Sequence, residues 1–187
     1  AMFYTGIILN SMAIDYYPRL SSVIKDSEKI NSEINLQMKF SLYVGIPLIS
    51  LFLLLVDYIL LVLYSDQFIP AANLTSLFIL TNAIKFYIYP LSYIPLAYGD
   101  GKFFFLLEFI ANIVLLIITY FFVQLFGFIG IGYSYLLFYL YYMVSVFIFV
   151  RKKYNISINT NNTKVFSLFT LLLFIQYLIN FFNFEYR

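Results

Sequence analysis

The sequence predicts an all-α, polytopic membrane helix bundle. Only 11% of its 187 residues are charged and 63% are hydrophobic, whereas a soluble domain carries roughly 25% charged residues. Several apolar runs reach the ~20 residues that a helix needs to cross a bilayer. The cations also gather at the links on one side of those runs, the asymmetry expected of a multi-pass protein.

Taken in order, residues 1–24 read as the end of a membrane helix that opens upstream of Ala1. Asp15 and Arg19 stand four apart in the favourable acid-first order, and Pro18 should bend that helix or end its first part. Residues 25–39 are charged and contain Asn and Ser, which predicts a cytoplasmic surface helix or loop. Residues 40–150 form a four-helix membrane region. Its first run, 40–64, contains Pro47 and Asp57. Its second, 72–98, contains Lys85, Pro90 and Pro95, and two prolines five apart predict a broken or bent helix. Gly99-Asp100-Gly101-Lys102 turns into a third run, 103–126, and a glycine-rich stretch at 127–132 turns into a fourth, predicting a tight turn with close helix packing. Residues 151–164 form a polar, flexible cytoplasmic link, and 165–187 an additional C-terminal membrane helix.

With residues 25–39 in the cytoplasm, alternation places Arg19, Lys25, Lys29, Lys39, Lys102, Arg151, Lys152, Lys153 and Lys164 on that same side. Only Arg187 lies opposite, and Lys85 lies within the membrane. The positive-inside rule demands such a distribution, which supports both the helix count and this orientation.

Composition also removes whole classes of chemistry. The chain has no cysteine and no histidine, so disulfides, thiolate metal sites and imidazole proton shuttles are absent. No nucleophile stands near a base at a recognisable spacing, and no glycine loop has the order that cradles phosphates. The reading is therefore not an enzyme, with no metal or cofactor and no nucleic-acid partner. Membrane lipids are the partners that the apolar surface requires.

The groups left to carry function are polar residues inside the spans. A cation at bilayer depth costs a few kcal/mol, so it faces a bundle interior, a cavity or a counter-charge. Lys85 shares a polar stripe with Thr75, Asn82, Tyr89 and Ser92. Depth along straight helices favours Asp57 over Glu108 as its counter-charge. Three alternatives stand open: a buried Lys85–Asp57 pair that only fixes packing, Lys85 facing a cavity where it attracts an anionic headgroup or responds to a coupling ion, or Lys85 facing lipid and snorkelling to the interface. Glu108, near the interface, reads as solvated, and Arg19 as half of a helix-end pair that also stands where a cytoplasmic gate would be. The candidate substrate-binding or coupling residues are thus Lys85, Asp57, Asn82, Tyr89, Glu108 and Arg19.

Asp15-Tyr16-Tyr17-Pro18-Arg19-Leu20-Ser21, Gln37, Pro47, Leu63-Tyr64-Ser65-Asp66-Gln67-Phe68, Ala71 and Ala97-Tyr98-Gly99-Asp100-Gly101-Lys102 together resemble the second half of polysaccharide flippases. These O-antigen-type proteins belong to the superfamily of multidrug, oligosaccharidyl-lipid and polysaccharide exporters. The resemblance spans about residues 1–150. It implies two six-helix lobes around a central cavity and movement of lipid-linked oligosaccharide across the cytoplasmic membrane by alternating access, with ion-gradient coupling expected. It further implies that this chain is part of the second lobe, that its partners are an undecaprenyl-linked oligosaccharide and a missing N-terminal lobe, and that it does not transport alone. No site motif of the family maps onto Lys85. A multidrug exporter, an integral-membrane glycan polymerase or transferase, and a purely structural subunit are the competing readings.

Overall fold

The computed structural model describes the backbone of residues 2–185 and the side chains of residues 5–181. It is 91% helical with no strands among the described residues. The helices are α1 (Met2–Ser22), α2 (Ser27–Leu54), α3 (Val56–Leu63), α4 (Ala72–Ser92), α5 (Ile94–Ala97), α6 (Gly101–Phe126), α7 (Gly130–Tyr154) and α8 (Thr160–Glu185). Short 3-10 turns, Asp66–Ala71 and Gly127–Ile129, lead into α4 and α7. Four helical stretches are long and apolar enough to cross a membrane: Ser27–Leu54, Asp66–Ala97, Gly101–Tyr154 and Thr160–Phe181. The third of these holds both α6 and α7, of 26 and 25 residues, each past the ~20 that one crossing needs. The chain is a multi-pass membrane helix bundle.

Helix α4 is the axis of the bundle. It packs against α1, α2, α7 and α8, and almost every side chain from Leu77 to Leu91 is buried. Close approach on two sides depends on missing side chains. A Cβ on Gly45 of α2 would lie 2.7 Å from the Phe86 ring, and one on Gly132 of α7 would lie 2.7 Å from Leu77. Helix α6, by contrast, stands at the edge, packed mainly on α7 with Ala111 its buried residue. Its exposed side chains, among them Phe105, Phe109, Leu116, Phe121 and Leu125, are the surface a spanning helix offers to lipid.

The prolines act differently from one another. Pro18 and Pro47 lie within helices that continue through them, so α1 does not end at Pro18. Pro90 and Pro95 deprive the carbonyls of Phe86 and Leu91 of their usual i+4 donors. The second span accordingly breaks at Tyr93, between α4 and α5. The Tyr16 hydroxyl donates to the Pro90 carbonyl at 2.9 Å, anchoring α1 to the last turn of α4.

Residues 27–39 are not a separate surface segment but the first turns of α2, capped by Asp26. Its carboxylate accepts from the backbone N–H of Glu28 and Lys29, which holds its pKa below the ordinary value. The link expected to be flexible is tied down instead. Asn35 donates to the Ser157 carbonyl at 2.9 Å and accepts from the Asn159 N–H at 2.7 Å, while Asn31 accepts from the Ser157 N–H at 2.8 Å. Asn162 completes the set by donating to the Asn35 carbonyl. Helix α8 begins at Thr160 and closes on α2 through Gln176, which exchanges hydrogen bonds with Ser50.

These contacts bring the ends of α1, α5 and α7 together with the starts of α2, α6 and α8. Arg19 pairs with Glu33 at 2.9 Å, and Lys153 pairs with Asp100 at 2.8 Å. The Tyr154 hydroxyl donates to the same Asp100 carboxylate at 2.5 Å. Hydrogen bonds from Lys153 and Tyr154 hold the Asp100 pKa below the ordinary carboxylate range. Of the nine cations assigned to one side, Arg19, Lys25, Lys29, Lys102, Arg151, Lys152, Lys153 and Lys164 stand at or near this end, the basic end, while Lys39 lies about 18 Å along α2 from its start. Arg187, expected opposite, lies outside the described residues.

Candidate functional site

Helical phase decides where Lys85 points. Phe78, Lys85 and Ser92 recur every seven residues on α4 and so share a face. The Phe78 ring packs edge-on against Tyr135 of α7, 5.3 Å between centroids. Two turns further along, the same face carries Lys85 to Tyr139, with Nζ 4.5 Å from the ring centre. Ile79 and Phe86, which meet α3 and α2, lie 100–120° around the helix at 100° per residue. Lys85 therefore faces away from Asp57, and the two form no ion pair.

Lys85 lines a partly open cavity of about 490 Å3. Helix α4 contributes Lys85, Tyr89 and Ser92, α6 contributes Glu108 and Asn112, and α7 contributes Tyr139 and Tyr142. The Tyr142 hydroxyl donates to the Glu108 carboxylate, so Glu108 is held by a buried tyrosine rather than simply solvated. The Tyr89 side chain is 7% exposed, and its buried hydroxyl has no hydrogen-bond partner among the described residues. Its ring packs edge-on against Tyr93, 5.2 Å between centroids, which fixes its direction.

A cation–π contact contributes about 0.5–2 kcal/mol. The cost of a lysine at bilayer depth is a few kcal/mol even on lenient scales, so the Tyr139 ring alone does not offset it. The cavity leaves room for water beside the ammonium, since its volume far exceeds the ~10–15 Å3 that one water requires. Cation, carboxylate and an unpartnered phenol on one apolar-walled surface make an amphoteric binding site. It can take an anionic group at Lys85, a hydrogen-bond donor at Glu108, and an apolar or sugar face against the tyrosines.

No family model, curated protein or solved structure matches the chain.

The remaining candidates fall elsewhere. Asn82 is buried beside α1, where its side-chain oxygen accepts from the Thr5 hydroxyl at 2.9 Å and its amide donates to the Phe78 carbonyl. Arg19 stands at the basic end between Asp15, Glu33 and Gln37, away from the cavity. Asp57, half-buried on α3, does not line the cavity. Lys85, Tyr89 and Glu108 are thus brought together, and Asp57, Asn82 and Arg19 are not. Sequence reasoning missed Tyr139 and Tyr142. Their signal is the spacing of Tyr135, Tyr139 and Tyr142 along one face of α7, hidden among 19 tyrosines.

Proposed function

We propose that this chain is part of a membrane transporter that flips a lipid-linked oligosaccharide across the cytoplasmic membrane by alternating access, coupled to an ion gradient. The observation that supports this reading best is the cavity between α4, α6 and α7, which sets Lys85, Glu108 and a tyrosine wall within the spanning segments. An undecaprenyl-linked cargo carries a diphosphate that suits Lys85 and sugar rings that suit aromatic faces. A cationic drug would meet Lys85 in the same cavity, which ranks a multidrug exporter lower. Transport on this reading requires a first lobe, so it belongs to a complete two-lobe protein.

The test is Lys85→Ala in the complete protein. Glycan export should be lost while protein abundance in the membrane stays normal. Unchanged export at normal abundance would refute the role of the site.

A further inference from the structure

A second cleft, made of two cavities that follow one another along the bundle, lies on the opposite side of α4, between α7 and α8. Leu140, Met143, Phe147 and Arg151 follow one another at spacings of three, four and four on α7, and Thr163, Ser167, Thr170 and Phe174 at four, three and four on α8. Each set is a single helix face. Both helices pack on α4, which floors the space between them with Leu80, Ala83 and Ile84.

The cleft changes character along its length. Its deep part is an apolar cavity of about 520 Å3, and the part at the basic end is a more polar one of about 560 Å3 whose lining includes Arg151, Ser157, Thr160 and Thr163 beside Phe147 and Ile156. Tyr87 stands at the waist. Its ring stacks on Phe166 at 4.0 Å, lies 5.4 Å from Phe147, and its hydroxyl donates to Thr163. Arg151 is exposed and has no acidic partner among the described residues, unlike Lys153 beside it, which is paired to Asp100. Lys152 and Lys164 on the flanking turns are likewise exposed and unpaired.

We infer that this cleft binds an anionic phospholipid, with its phosphate at Arg151 and an acyl chain between α7 and α8. The dimensions agree: Arg151 and Leu140 are eleven residues apart, about 16 Å along the helix, which is half of the ~30 Å hydrocarbon thickness. A guanidinium gives a phosphate two parallel hydrogen bonds. Basic pockets between spanning helices at the membrane surface suit anionic headgroups for that reason. The inference does not depend on the transport reading.

Native mass spectrometry of the full chain, released from detergent with dioleoyl phosphatidylglycerol, dioleoyl phosphatidylcholine or inorganic phosphate, tests it. Phosphatidylglycerol should be retained about fivefold more than phosphatidylcholine, and inorganic phosphate should neither be retained nor displace it. Arg151→Gln, at an exposed position, should erase the preference, and Arg151→Lys should restore part of it. Met143→Trp should reduce retention of phosphatidylglycerol with Arg151 intact. Equal retention of the two lipids, a preference that survives Arg151→Gln, or displacement by inorganic phosphate would each overturn the proposal.

Discussion

Lys85 and Glu108 illustrate how a polar residue survives at bilayer depth without a salt bridge. Each has a tyrosine of α7 as its neighbour, Tyr139 under the ammonium and Tyr142 against the carboxylate. Hydrogen bonds to charged groups contribute about 1.5–3 kcal/mol, so the Tyr142–Glu108 contact is a substantial part of what fixes α6 to α7 near the cavity. Tyr142→Phe and Glu108→Gln, singly and together, should show a coupling of about 1–2 kcal/mol in reversible unfolding in detergent; additive effects would mean that the bond contributes nothing. That Lys85, Tyr89 and Ser92 share a face was legible in the sequence, whereas Thr75 and Asn82, expected in the same stripe, turn toward α3 and α1. The true neighbour of Lys85 was not legible, because depth along straight helices says nothing about rotation. The one residue whose rotation settles the matter, Phe78 against Tyr135, looks like any other aromatic in a chain with 23 phenylalanines.

At the scale of elements, glycines set the closest helix approaches and asparagines pin the link to α2. A Cβ at Gly130 would come within 2.1 Å of the Phe122 carbonyl oxygen, a backbone atom that cannot swing aside. Gly130→Ala should therefore force α6 and α7 apart and cost about 1–3 kcal/mol. Gly101→Ala, with nothing within 4 Å, should be neutral or slightly stabilising. Melting of the two variants in the same detergent separates these outcomes, and an equal loss in both would contradict the packing argument. The runs that become α4, α6, α7 and α8 were legible from apolar length, as were the break near Pro95 and the tight glycine turn. The start of α2 was obscured because its first turns carry Lys, Glu, Asn and Ser, which propensity alone assigns to surface as readily as to a protruding helix. The pinned link was hidden for a related reason: Asn31 and Asn35 stand four apart, and only the fold brings Ser157 and Asn159 to them.

For the whole molecule, the basic end is both the charged pole and the place where six helix ends are fastened. Asp100 has a lowered pKa in the folded state, so its contribution to stability is present above its ordinary value of 3.8 and is lost as pH falls through the lowered one. Between pH 6 and pH 3 the melting temperature of the wild type should fall more steeply than that of Asp100→Asn, and parallel curves would assign the acid sensitivity to other groups. The burial of α4 carries a further consequence, for the order of events during synthesis. Lys85 leaves the ribosome 54 residues ahead of Tyr139, so the helix that ends up innermost spends that interval with its cation unaccompanied. Settling α4 at full depth before α7 arrives is therefore disfavoured by a few kcal/mol, and its final position should be fixed together with α7 rather than span by span.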